Sequence, residues 1–132
     1  MAECQELGSV GNDLVGALAC FDELLLDDPE NAEALSYRGW YLLLAAGSLQ
    51  ASADTEEEAT EADELIASGL TYLDQAIEVD PSLPDPLAFR ATVYDRQGRA
   101  EEACADVAAL LELEPPAFFV EQTAGIVARN GC

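Results

Sequence analysis

Apolar residues recur along most of this chain at steps of three and four, the spacing of a helix that buries one face. From Asp13, a capping residue, Leu14, Ala17, Leu18, Phe21, Leu24 and Leu25 keep that step as far as Asp27-Asp28-Pro29. Proline there turns its predecessor away from helical geometry. Ahead of this helix, residues 2–8 predict a short helical piece and Ser9 to Asn12 a loop. A second helix is expected from about Glu30 to Ala46, carried by Ala34, Leu35, Gly39, Leu42 and Leu43 and ended by Gly47. Residues 47–63 are polar and acidic, with Glu56-Glu57-Glu58 in the middle, and predict a loop that turns helical toward its end. The third helix, about 60–79, carries Leu65, Ile66, Leu70, Leu73, Ala76 and Ile77 and closes at Pro81. Pro84 and Pro86 open a fourth, where a missing N–H costs little, with Leu87, Phe89, Ala91, Val93 and Tyr94, ending at Gln97-Gly98. A fifth, about 100–113, holds Ala103, Val107, Leu110 and Leu111 before Pro115-Pro116. A last amphipathic helix, about 117–129, shows Phe118, Val120, Ile126 and Val127. Every element reads as helix, so the fold class is all-α.

These helices follow a repeat. Pro81 and Pro115 lie 34 residues apart, the period of a paired-helix unit, whereas Pro29 and Pro81 lie 52 apart. The middle unit is thus 18 residues longer, and the excess falls on the acidic stretch around 47–63. A tolerated surface loop and a contribution to the binding face are both compatible with such an insertion.

Leu87, Ala91, Tyr94, Ala103, Val107, Leu110 and Pro115, with Leu35, Gly39, Leu42, Gly69, Leu73, Ala76 and Pro81 one unit earlier, alternate large and small positions. In that order they resemble tetratricopeptide repeats. A partial first unit supplies Ala17, Phe21, Leu24 and Pro29. The resemblance implies one domain, an α–α superhelix of about six helices. It would comprise a partial repeat over 2–29, a second over 30–81 with its insertion, a third over 82–115 and a capping helix over 116–130. An array that opens inside a unit is expected of a chain cut from a longer protein. The segments YRGW, LDQAIEVDPSLPDPLAFRA and LELEPP are further similar to bacterial tetratricopeptide proteins of cytochrome c maturation. Those usually follow a membrane anchor and act outside the cytoplasmic membrane, holding a helix of unfolded apocytochrome.

Charge narrows the partner. The chain has 27 acidic and 5 basic residues, a net charge of −22, and all five bases are arginine. That field repels phosphate backbones and anionic lipid surfaces and attracts a basic protein or peptide. Acid on outer helix faces also serves solubility alone. The longest apolar run, Trp40 to Ala46, is too short to span a bilayer, and the compartment stays open between cytoplasm and an extracytoplasmic domain. Without histidine or lysine the usual general base, metal ligand and Schiff-base nucleophile are missing, and no glycine-rich phosphate loop occurs. No enzyme activity and no cofactor are expected. Acid runs at Asp54–Glu58 and Glu61–Glu64 lack the spacing of a calcium loop. The cysteines, Cys4, Cys20, Cys104 and Cys132, form no C-x-x-C pair, so no disulfide framework is indicated. Cys20 and Cys104 read as small buried thiols.

The resemblance also places a concave groove along the first helices of successive units. Its positions are Glu33, Ser36, Tyr37, Trp40 and Leu43 in the middle unit, and Asp85, Ala88, Phe89, Thr92 and Arg96 in the last. Gln122 and Ile126 would come from the cap. Trp40, with Tyr37 and Phe89, is the aromatic anchor of such a groove or a piece of core between hairpins. Arg38 and Arg90 lie 52 apart, as do Asp22 and Asp74, which predicts structural Arg–carboxylate ties between successive hairpins. Function is then a non-catalytic module that binds a peptide or helix. The alternative is a structural, self-associating piece of a longer scaffold.

Overall fold

The computed structural model describes residues 2–9 and 13–132. Seven helices occur among them: α1 (Ala2–Ser9), α2 (Leu14–Asp27), α3 (Ala32–Ser52), α4 (Glu56–Val79), α5 (Pro84–Arg96), α6 (Ala100–Glu112) and α7 (Ala117–Asn130). Each packs on the next, and α5 also touches α3 and α7, so the chain is an all-α helical array. Ser9 is the last residue of α1 rather than the first of a loop. Val10, Gly11 and Asn12 of the expected loop lie outside the described residues.

Helix starts follow side-chain chemistry. Asp13 accepts from the Gly16 N–H at 2.9 Å and Asn31 from the Ala34 N–H at 3.1 Å, satisfying donors that the first helical turn leaves unpaired. Pro84 stands in the first turn of α5. Gly98, at φ 73°, supplies the left-handed residue that turns the chain from α5 into α6.

The acidic insertion is not a loop. Gly47 does not end α3, which runs on to Ser52, and α4 begins at Glu56, leaving only Ala53 to Thr55 between them. Nothing in Ser48 to Ser52 breaks a helix. Thr55 caps α4 by accepting the Glu58 N–H at 3.2 Å, and Glu56, Glu57 and Glu58 sit in its first turn, where the helix dipole favours negative charge. The T-x-x-E spacing of Thr55 and Glu58 is a helix-start signature that the charge of the stretch conceals. The extra residues therefore lengthen both arms of one antiparallel hairpin.

That hairpin closes on two glycines. A Cβ on Gly39 would stand 2.8 Å from the Gly69 carbonyl oxygen, and one on Gly69 would stand 2.9 Å from the Gly39 carbonyl oxygen and 2.8 Å from Leu43 Cγ. The backbones of α3 and α4 are in direct contact there. Ala46 and Ala62, each seven residues from its glycine toward the turn of the hairpin, are both fully buried.

Core packing runs serially along the array. Phe21 and Tyr41 join α2 to α3, Leu43, Leu73, Phe89 and Val93 join α3, α4 and α5, and Ala91, Ala103, Val107 and Ile126 join α5, α6 and α7. Leu65, Ile66 and Leu70, expected to be buried, are only half-buried. Leu111, Phe118 and Val120 are exposed, because α6 and α7 have neighbours on one side only.

The cysteines correct the expectation of no disulfides. Cys4 bonds Cys20 and Cys104 bonds Cys132, with Cα–Cα distances of 5.4 and 5.5 Å. They were not visible as pairs because their separations, 16 and 28 residues, match no short motif and become neighbours only once the helices fold back. The first bridge ties α1 to α2; the second ties α6 to the end of the chain.

The glycine contact yields a test within one hairpin. Gly39→Ala and Gly69→Ala should each destabilise by roughly 1–3 kcal/mol through overpacking, against a helix-propensity gain of about 1 kcal/mol. Gly47→Ala, whose Cβ meets nothing within 4 Å, should instead stabilise by up to about 1 kcal/mol. Urea unfolding reads the difference, and one common sign at all three positions would contradict the contact.

Candidate binding groove

On α3, Tyr37, Trp40 and Tyr41 fall at helical steps of three and four and so share one side of the helix. Together with Gln5 of α1, Asp85 and Phe89 of α5, and Phe118, Phe119 and Gln122 of α7, they line a concavity of about 300 Å3. Six of its nine lining residues are aromatic, which makes ring packing its organising force.

The rings form a connected set. Trp40 stacks on Phe89 with centroids 4.6 Å apart and planes 14° apart, and Tyr37 meets the same Phe89 edge-on at 5.4 Å. On the other side Tyr41 stacks on Phe21 at 5.6 Å. Phe118 and Phe119 meet edge-to-face at 5.4 Å, and Phe118 is 65 % exposed. Two hydroxyls lock the walls: Tyr37 donates to Asp85 Oδ2 at 2.8 Å, and Tyr41 donates to the Gln5 carbonyl oxygen at 3.1 Å. Burial, followed by the bond to Asp85, raises the Tyr37 phenol well above the usual tyrosine range, so the donor stays protonated.

The expected groove positions divide. Tyr37, Trp40, Asp85, Phe89 and Gln122 line this concavity. Leu43 and Arg96 line a separate recess of about 110 Å3 with Gly47, Gln50, Ile66, Val93 and Gln97. Ser36, Ala88 and Ile126 are buried and offer no surface; the Ser36 hydroxyl is spent on the Ala32 carbonyl at 2.7 Å. Phe89 and Leu43 belong to the core and reach their cavities only as floors. Glu33 is exposed in the first turn of α3, and Thr92 is half-buried, donating to the Ala88 carbonyl at 2.9 Å. Four lining residues were not expected: Gln5, Tyr41, Phe118 and Phe119. The Phe118-Phe119 pair in the first turn after Pro115-Pro116 was the available signal, since a helix this amphipathic with a doubled aromatic at its start has one ring left over.

Ion pairs brace the array behind the groove. Arg38 donates to Asp22, with Nη2 to Oδ2 at 3.2 Å. Arg90 reaches Asp74 at 2.8 Å and grips Asp106 with two bonds of 2.9 and 2.7 Å. Asp106 was not foreseen and is the better buried partner, with 6 % of its side chain exposed against 59 % for Asp74. Both partners of Arg90 lie 16 residues from it, as Asp22 lies from Arg38. At the far end Arg129 donates to Asp95 at 2.6 Å and Asn130 adds a bond of 2.8 Å, which together hold the Asp95 carboxyl below the usual carboxylate range.

No protein-family model matches the chain, and comparison with curated proteins returns no match.

Two measurements follow from this geometry. Asp106→Ala should destabilise by roughly 2 kcal/mol, the scale of charged hydrogen bonds lost from a buried partner, and Asp74→Ala by less than about 1 kcal/mol. Denaturant unfolding giving equal losses would show that burial does not rank the two. In an alkaline spectrophotometric titration, the tyrosine signal that is lost in Tyr37→Phe should ionise well above the usual tyrosine range. The folded phenol holds its proton above the unfolded value of about 10, so this contribution to stability is complete below that pH and lost as pH rises beyond it.

Proposed function

We propose that the protein is a non-catalytic binding module of tetratricopeptide type that holds a peptide or helix of a basic protein in its aromatic concavity. The observation that carries this reading is the convergence of α1, α3, α5 and α7 on one concavity lined by aromatic rings. Buried and half-buried aromatics dominate the energetics of protein recognition, and a pocket rimmed by an exposed ring offers an anchor point. Phe118, 65 % exposed beside the Trp40–Phe89 stack, is that ring.

Charge supports the choice of partner. Four of the five arginines are already salt-bridged within the chain, so most of the 27 carboxylates have no cation of their own. A basic segment gains from that field at long range and from the rings on contact. Two disulfides in 132 residues support an oxidising setting. This accords with the extracytoplasmic assembly role that the resemblance to cytochrome c maturation proteins implies, in which the groove holds an unfolded client. No helix among the described residues is long and apolar enough to cross a membrane.

Peptides selected from a random display library against the intact protein should be enriched in Lys and Arg. They should lose at least about tenfold in affinity on Phe118→Ala or Trp40→Ala, the effect of removing one interface anchor. Because Phe118 is exposed, its variant tests the groove without disturbing the fold. Selected peptides that bind Phe118→Ala as well as the native protein would place the site elsewhere.

A further inference from the structure

Arginines of this protein rest on tyrosine rings beside carboxylates. The Arg38 guanidinium lies 4.7 Å from the Tyr72 centroid and pairs with Asp22. That of Arg90 lies 5.7 Å from the Tyr94 centroid and pairs with Asp74 and Asp106. Arg99 lies 4.3 Å from the Tyr94 centroid and pairs with Glu102. An aromatic face gives the guanidinium its quadrupole attraction and a carboxylate gives it directed hydrogen bonds. The fold uses this pairing of ring and carboxylate three times.

The groove holds the same parts without the cation. Trp40, Phe89 and Phe118 supply ring surface, Asp85 supplies a carboxylate, and no arginine lines the cavity. Asp85 is half-buried, and among the described residues only its Oδ2 is engaged, by the Tyr37 hydroxyl. Its other oxygen keeps its acceptor capacity. At about 300 Å3 the space is at the small end of ligand pockets, the scale of one anchored side chain rather than a whole helix.

We propose that the concavity is a receptor for one arginine side chain of a basic protein partner, its guanidinium lying against the Trp40 and Phe118 rings and paired with Asp85. This assignment rests on the reading of the concavity as the binding groove and names the residue that anchors the partner. Arginine suits it better than lysine, because a planar, weakly hydrated guanidinium stacks on a ring while still donating in its own plane to a carboxylate. The uncompensated acid of the surface draws the basic segment in; the rings and Asp85 select the side chain.

Trp40 is the only tryptophan, so its emission reports the pocket directly. Titration of the full chain with N-acetyl-arginine methylamide should change that emission saturably. N-acetyl-citrulline methylamide, nearly the same shape without the charge, should bind about tenfold more weakly. Asp85→Asn keeps an oxygen to accept from Tyr37 and should narrow the preference for arginine over citrulline, leaving only the part the rings supply. Glu57→Gln, an exposed acid on α4 outside the groove, should change neither. Equal binding of arginine and citrulline to the native protein, equal losses in Asp85→Asn and Glu57→Gln, or no saturable change up to about 50 mM would each overturn the arginine anchor. The two readings fail separately. If library-selected peptides lose binding on Phe118→Ala yet tolerate citrulline for every arginine, the anchor is wrong and the groove stands. If they bind Phe118→Ala unchanged, the groove itself is wrong.

Discussion

The backbone contact between Gly39 and Gly69 sets the distance between α3 and α4, and much of the structure depends on it. With no side chain between them there, the two helices press together and α3 must present its bulk to its other neighbours. Tyr41 goes toward Phe21 of α2, while Tyr37 and Trp40 go toward Phe89 of α5. Arg38, next to the contact, reaches Asp22 on one side and Tyr72 on the other. One close approach thus aligns the ring stack, the ion pair and one wall of the groove. A residue of any size at either glycine would move all three together, since packed interiors transmit a displacement rather than absorb it.

A second regularity ties consecutive helices. Cys4–Cys20, Asp22–Arg38, Asp74–Arg90 and Arg90–Asp106 each span 16 residues. In an antiparallel array of helices of similar length, that offset brings a residue beside its partner on the next helix. The insertion breaks the rule only for Arg38, whose forward neighbour is Tyr72 at the place where Arg90 finds Asp106, so the guanidinium stacks there instead of pairing. At α1 the tie is covalent. A bridge closing a loop of this size stabilises by about 3 kcal/mol in the chain-entropy description. The two bridges stand at the ends of the array, where a helix has fewer neighbours to hold it.

Helix order and most boundaries were legible because spacing and prolines are local signals, although about six helices were expected and seven occur among the described residues. The small positions Gly39, Gly69, Ala76, Ala91 and Ala103 were legible for a different reason: their alternation with large residues is a contact pattern written along the chain. The insertion was misread because acid suggests solvent, yet Glu and Ala are good helix formers and Thr55 starts a helix that α3 extends to meet. The bridges and Asp106 were invisible until the 16-residue offset was known, since each is a statement about two helices at once. For the groove, the register fixed which helices face inward but not how deep each side chain sits. Ser36, Ala88 and Ile126 share the face and lie beneath it, while Phe118 rises above it.

Charge and ring packing divide the work between the outside of the array and its concave side. Each of the five arginines is near acid, but four are committed to holding helices together or capping a turn, and these ties use only a few of the 27 carboxylates. Burying more of that acid would cost desolvation without a cation to offset it, so it stays on the surface as a field. A field attracts without discriminating. Discrimination needs desolvated, shaped contact, and the chain gathers that in one place, where three helices contribute rings around a single carboxylate whose proton-donor neighbour, Tyr37, does not ionise in the folded state near neutral pH. Because Tyr37 fixes one oxygen of Asp85, the carboxylate cannot turn away to solvent, and a ligand meets an acceptor already oriented. Such preorganisation lowers the entropy that binding must spend on the receptor side, which is what a short array with a small groove requires in order to bind a partner at all.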